Sequence, residues 1–429
     1  MSSSTLKGFS HSLKTREDRV LLLLCAVLLL VYLANAFGPL RLTNDTLRYF
    51  ILKEQMDGSW PVAFGPSSDF LPSGYVYFLS FLSRLNILNS TTIVIVHLLY
   101  LAGSIYFVKE IFGRNINWRS LAFLMLLSWT TIKYSLIPLS EMQFLFFTTA
   151  ALYCYVKYDA NRNFIYLLLV VLFCKLAIET RSAGFVLPVS IIAAFILKHR
   201  AIWATILKRN KWAWFSLVLV IALIAVGFYW LKDSAYTSYF AGPFSNDPVG
   251  FVFNTVWKQL GYFGELFINI PASKTRFLVA ASIGDVIYRL VGILFLLLLL
   301  SRLLRRRYSI PLIIRAYIVL YIGLIFNWPF FDARFWFPIL PLMIGVFLSN
   351  PPTISQRTRV VNSIYKIAFV LTGIFSLGYY TYLSYNQSAF AVRHDAGKWK
   401  REYELHFSAT ETKDSTIDQK ALYLLNKYD

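Results

Sequence analysis

The chain has 429 residues, 57% of them hydrophobic and 15% charged, with a mean hydropathy of +0.56. Soluble globular chains hold about 45–50% apolar and about 25% charged residues, so composition excludes a soluble protein with a single anchor and points to a chain crossing the bilayer many times. The formal net charge of +20 raises nucleic acid as a partner, but the distribution of that charge along the chain argues against it.

A span takes about 20 mainly apolar residues, because the hydrocarbon core is about 30 Å thick and a helix rises about 1.5 Å per residue. Residues 20–37 open the series. Further candidates are 91–108, 119–135, 138–156, 163–179, 183–197, 212–231, 286–301, 309–327, 335–349 and 363–384. They predict an all-α transmembrane bundle of about eleven spans. The first stretch is too long for a signal-peptide core and lacks a small-residue cleavage pattern, so it reads as retained. Cys25, Cys154 and Cys174 all lie in apolar spans and read as core residues.

With the N-terminus taken as cytoplasmic, the inside segments are 1–19, 109–119, 157–162, 198–211, 302–307 and 350–366. They hold 21 Lys or Arg against four acids, Glu17, Asp18, Glu110 and Asp159. This bias follows the positive-inside rule and sets the orientation. Two long outer loops result, at about 38–90 and about 232–285. In the first, residues 44–56 predict a helix capped by Asn44 or Asp45, and residues 71–84 predict an apolar helix too short to span comfortably. Residues 1–385 read as one membrane domain and 386–429 as a short outer tail, too small for a robust domain of its own.

Five clusters of ionisable residues sit at outer ends of spans or in outer loops, where each has a structural and a functional reading. Asp45 is a helix cap or a reactive carboxylate. Glu141, in Pro138-Leu-Ser-Glu141, is a first-turn acid favoured by the helix dipole or a site residue, and neighbouring Lys133 is an interfacial anchor or a phosphate contact. Lys175 and Glu179 are four apart and share a helix face, as a self-neutralised pair or as site residues, and Arg181 follows at the membrane exit. Asp332 and Arg334 are a cap with a belt arginine, or a site pair. Glu265, in the second long loop, is a loop-helix charge or a ligand contact. His97 reads as structural. No Walker loop, dinucleotide fingerprint, HExxH or GxSxG is present.

Outer-face carboxylates beside outer-face arginines suit transfer of a sugar from a polyprenyl phosphate. A base must take the acceptor's proton, which Asp45 can do. Cations must stabilise the departing phosphate, a role open to Arg181, Arg334 and Lys175. Apolar spans would hold the isoprenoid.

Several passages together carry a family resemblance. They are Asn44-Asp-Thr-Leu-Arg-Tyr49, Phe70-Leu-Pro-Ser-Gly-Tyr-Val-Tyr77, Ile137-Pro-Leu-Ser-Glu141, Leu176-Ala-Ile-Glu-Thr-Arg-Ser-Ala-Gly184 and Asp332-Ala-Arg-Phe-Trp-Phe-Pro338. In order and sidedness the chain resembles the GT-C superfamily of polytopic glycosyltransferases, over roughly 15–385. It is similar to the branch of protein mannosyltransferases and lipid A aminoarabinose transferases. The resemblance implies a GT-C-like bundle and inverting transfer from a polyprenyl-phosphate sugar to a glycan, lipid or protein acceptor. It implies Asp45 as base and Arg181 or Arg334 at the phosphate, with no cofactor and no metal. Glu141, Glu179, Asp332, Tyr75 and Glu265 become candidates for positioning donor or acceptor. A bacterial inner membrane with the site facing the periplasm is the expected location. The chain departs from many relatives in lacking a second acid close to the first, and in lacking a large outer domain. Two other classes remain open: a transporter or lipid flippase, whose charges would sit near the midplane, and an O-antigen polymerase or ligase.

Overall fold

The structure is a computed structural model that describes residues 16–67, 69, 71–199, 245–275, 281–305, 308–349, 356–408 and 417–429. The expected span at 212–231 lies outside the described residues, as do Phe70 and parts 232–244 and 276–280 of the second long loop. Among the described residues every regular element is helical. Four helices are long and apolar enough to cross a membrane: Asp18–Asn35, Ser90–Asn115, Ile283–Leu304 and Ser363–Tyr385. A fifth crossing results if the bent pair Trp129–Leu136 and Glu141–Asn161 is one span. Other stretches expected as spans form shorter apolar helices, among them Trp118–Leu127 and Leu312–Phe326. A helix of 15 residues rises only about 22 Å and falls short of the about 30 Å hydrocarbon core.

Helix α1 (Arg16–Asn35) carries leucines on the outside of the bundle, with Leu23 and Leu30 each 65% exposed. It is tied inward by Tyr32, whose hydroxyl donates to the Leu126 carbonyl at 2.8 Å. Helices α2 (Asn44–Met56) and α3 (Gly74–Arg84) fill the first expected outer loop, and α4 (Ser90–Phe112) follows.

The stretch expected as one span at 119–135 is two helices, α5 (Trp118–Leu127) and α6 (Trp129–Leu136), parted at Ser128. Ser128 is extended there (φ −70°, ψ 127°). The break is served by Asn269: its Oδ1 accepts from the Trp129 N–H at 2.8 Å and its Nδ2 donates to the Leu127 carbonyl at 2.9 Å. A second break follows at Pro138. Proline pushes the residue before it out of helical space, and Ile137 is extended (φ −99°, ψ 132°). The chain turns by 113° into α7 (Glu141–Asn161), which brings Glu141 to a helix N-terminus.

Helix α8 (Phe164–Thr180) packs on α7, and α9 (Val186–Lys198) follows a short 3-10 turn. The second expected long loop contains α10 (Pro248–Ile268), a helix of 21 residues, rather than loop alone. It packs against α11 (Ala281–Leu304) with backbones touching. A Cβ on Gly264 would lie 1.9 Å from the Tyr288 carbonyl oxygen, and one on Gly292 would lie 2.1 Å from that of Leu260. Small residues allow such an approach between apolar helices. Helices α12 (Leu312–Phe326), α13 (Leu340–Leu348) and α14 (Gln356–Tyr385) complete the bundle.

The C-terminal tail is docked, not loose. Helices α15 (Gln387–Arg393), α16 (Lys400–Ser408) and α17 (Gln419–Tyr428) close on the first loop. Ala421, Leu424, Leu425 and Tyr428 form the buried stripe of α17. Its Tyr428 hydroxyl donates to Glu54 of α2 and accepts from Lys53 Nζ at 2.7 Å, and Lys427 Nζ lies 2.6 Å from Glu54 Oε2. Asp429 accepts from the Leu40 N–H at 2.6 Å and from His406 Nε2 at 2.9 Å. The residues that end the tail thus hold one end of α2.

Candidate active site

The other end of α2 lines a cavity of about 370 Å³. The N-terminus of α7, the C-terminus of α8, and the end of α12 with its following segment supply the remaining walls. Helix ends meet here because each is stopped by a local signal. Thr43, not Asn44 or Asp45, caps α2, its hydroxyl accepting from the Thr46 N–H at 3.2 Å. Asn44 instead accepts from Lys398, and the Asp45 carboxylate is left to face the cavity. Arg181 is extended (φ −152°, ψ 139°) and ends α8. The turn after it needs Gly184, where a Cβ would lie 2.6 Å from the Ala177 carbonyl carbon. Gly74, at the start of α3, sits as tightly on α8, since its Cβ would lie 2.7 Å from the Glu179 carbonyl. The segment at Gly74 and the end of α8 at Glu179 and Thr180 therefore abut.

Carboxylates and guanidinium groups alternate around the cavity. Asp45 Oδ2 lies 2.5 Å from Arg334 Nη1, and Asp45 Oδ1 lies 3.2 Å from Arg48 Nη1. Arg48 forks onto both oxygens of Asp69. Glu141, whose side chain is 1% exposed, accepts from Arg181 and has Arg334 Nε 3.9 Å from its Oε1. Asp332 fixes the approach of Arg334. It accepts from that residue's N–H at 2.8 Å and from the Tyr134 hydroxyl at 2.8 Å. Burial pushes the Asp45 carboxyl up, but the charge and hydrogen bond of Arg334, then Arg48 and Arg181, outweigh it and hold the group below its ordinary range. The same acids hold the Arg334 guanidinium protonated against burial. Glu141 Oε2 and Arg334 Nε are buried in this wall without a hydrogen-bond partner among the described residues, although buried polar groups are normally bonded.

The sequence-derived candidates divide. Asp45, Glu141, Arg181 and Arg334 line one cavity, and Asp332 supports it from behind. Tyr75 stands one layer back, its ring 5.0 Å from that of Tyr49 and its hydroxyl 3.2 Å from His97 Nε2. His97 Nδ1 is 3.1 Å from the Ser135 carbonyl, in keeping with a structural role. Lys175 lies outside the cavity on the exposed side of α8, about a turn and a half before Arg181, and forms no ion pair with Glu179 among the described residues. Lys133 stacks over Tyr134 at 5.0 Å, an anchoring contact.

Three residues that sequence reasoning passed over join the site. Arg48 is three residues after Asp45, the spacing of helical neighbours, and that spacing was the available signal. Tyr49 donates to Ser140 Oγ at 3.0 Å. Asp69 is a second acid within the first loop, brought in by Arg48 although 21 residues separate the two in sequence. A second acid thus stands near Asp45 in space although none lies close to it in sequence.

Glu265 lies elsewhere, in a second cavity of about 290 Å³ with Lys258, Tyr262, Asp285, Arg289 and Phe331. Burial pushes its carboxyl up to about 8. The two cavities flank one segment, 328–335, with Phe330 and Arg334 lining the first and Phe331 the second. Gln259 pins that segment to α10. Its Nε2 donates to the carbonyls of Phe330 at 2.9 Å and Trp328 at 3.3 Å, and its Oε1 accepts from Trp336 Nε1 at 3.1 Å.

Among the described residues no three His, Cys, Asp or Glu side chains gather as a metal-binding set. No family model, no curated protein and no solved structure matches this chain.

Proposed function

We propose that this chain is an integral-membrane glycosyltransferase of GT-C-like architecture, with about eleven spans. It takes a sugar from a polyprenyl-phosphate donor and passes it to a hydroxyl of a glycan, lipid or protein acceptor. One observation carries the reading: Asp45 is held between Arg334 and Arg48 in a cavity that also contains the Glu141–Arg181 pair. Arg48 takes the place in the donor-phosphate set that Lys175 held in the reading from sequence.

In the proposed reaction the acceptor oxygen attacks the anomeric carbon as the bond from that carbon to the phosphate oxygen breaks. The acceptor's proton passes to the Asp45 carboxylate, and polyprenyl phosphate leaves with the bonding electrons, giving inversion. Every arginine at the cavity is already paired with a carboxylate. An arriving phosphate therefore competes with Asp45 and Asp69 for the Arg334 and Arg48 forks. That exchange removes a cation from Asp45 and makes it a stronger base, so donor binding prepares the catalyst. The cytoplasmic N-terminus read from the basic loops places this chemistry on the outer face, which we assign to a bacterial inner membrane.

The test supplies purified protein with radiolabelled polyprenyl-phosphate sugars and an acceptor extract. Asp45→Asn is expected to lower transfer by about 10²–10⁴-fold while donor binding persists. Undiminished transfer would remove Asp45 as base, and no transfer from any such donor by the native protein would overturn the reading.

A further inference from the structure

The cavity around Glu265 is not explained by structural pairing. Glu265 is only 6% exposed, yet it forms no ion pair among the described residues, and the Ala272 backbone donates to it. A buried carboxyl kept for stability alone is normally matched by a cation. The nearby cations are engaged elsewhere: Lys133, whose charge reaches Glu265 without forming an ion pair, stacks over Tyr134 at 5.0 Å and Trp129 at 5.8 Å, Lys258 Nζ sits 4.8 Å over the Phe331 ring, and Arg289 pairs with Asp285 at 3.8 Å and stacks over Trp257. The pocket thus presents ammonium and guanidinium donors and carboxyl acceptors beside the rings of Phe331, Tyr262 and Tyr288. An inorganic anion needs donors alone and a metal ion needs acceptors alone. A polyol needs both, and its C–H face suits an aromatic ring. The volume of about 290 Å³ is small for a lipid chain and suited to one sugar ring. Its wall is the back of the segment that carries Arg334.

We infer that this second cavity holds a hydroxyl-rich sugar ring of the acceptor, with Glu265 as its floor, Lys258 and Asp285 as its rim and Phe331 as an aromatic wall. The assignment of that ring to the acceptor rests on the glycosyltransferase reading. The binding site itself does not.

The experiment uses Lys258, which is exposed and open to acylation. The full chain in lipid nanodiscs is treated with an acetylating ester, alone or with millimolar methyl glycosides: glucoside, mannoside, N-acetylglucosaminide and glucuronide. Peptide mass spectrometry reads Lys258, with Lys400, exposed on α16, as reference. At least one glycoside is expected to slow Lys258 acylation threefold or more and to leave Lys400 unchanged. Phe331→Ala and Glu265→Leu should each abolish the protection while retaining binding of a short-chain polyprenyl phosphate, which checks the fold. No protection by any glycoside, protection surviving in both variants, or equal protection by inorganic phosphate would each overturn the site. In the transfer assay the same variants should raise the acceptor KM about tenfold with donor affinity unchanged, and a loss of donor affinity instead would overturn the acceptor assignment. Protection without any transfer by the native protein would sink the glycosyltransferase reading and leave the sugar site standing.

Discussion

Asn269 offers the sharpest test of how the site is built. It is fully buried, has a left-handed backbone (φ 63°), and bonds through its side chain to Trp129 N, Leu127 O, Phe369 O and Thr372 Oγ1. Two of these partners, the Trp129 N–H and the Leu127 carbonyl, flank the Ser128 break, and Asn269 stands in for the helix there. Asn269→Gly removes the side chain and keeps the backbone relaxed, since glycine accepts positive φ. It orphans two buried backbone groups at about 1–3 kcal/mol each, so a loss of about 2–6 kcal/mol is expected. Asn269→Ala should cost about 1–2 kcal/mol more, because a Cβ disfavours the left-handed region. Unfolding titrations in mixed detergent micelles measure both. Near-native stability of the glycine variant, or a glycine variant less stable than the alanine one, would refute the idea that this side chain closes the break.

Arg334→Ala should lower transfer by about 10²–10³-fold, the cost of losing one donor to developing charge, and Arg334→Lys should fall between it and native. Because Arg334 holds Asp45 below its ordinary range, its removal lets the carboxyl rise, and the acid limb of the kcat/KM profile should move to higher pH; an unmoved limb would contradict the pairing. Gly74→Ala forces a Cβ against the Glu179 carbonyl and should destabilise by about 1–3 kcal/mol in the same titrations, with unchanged stability counting against the contact. The hydrogen bond that His406 donates to Asp429 raises the His406 value, against burial and with help from Asn426. A raised value gives stability that is present below the unfolded value of about 6.5 and lost as pH climbs through the folded one. Hydrogen exchange at α17 should therefore separate native protein from His406→Gln at pH 5.5 and converge at pH 8.5, and a difference independent of pH would refute the link.

Much of the cavity was legible because local signals end the helices that form it. Pro138 marked the opening of a span, which begins three residues later at Glu141, and Asp332 with Arg334 marked another boundary. Arg48 lay within the Asn44–Tyr49 passage with its partner Asp69 out of view, because that acid is 21 residues further on. The break at Ser128 could not be read, since Ser128-Trp-Thr-Thr131 contains no proline or glycine. It is stabilised by Asn269, 140 residues from Trp129. Similarly, α17 reads as an exposed charged tail until α2 is there to receive Leu424, Leu425 and Tyr428. Lys175 misled because i,i+4 spacing with Glu179 says which side chains are neighbours, not which way their common face points.

The clasp between α2 and α17 has a consequence for biogenesis. Glu54 leaves the ribosome 374 residues before Tyr428. At about 5–20 residues per second, the helix carrying Asp45 and Arg48 waits roughly 20–75 s for the partner that fixes its far end. Truncated or stalled chains would hold Asp45 on an unclasped helix. Completion of the cavity wall is thus deferred until synthesis has passed through α17.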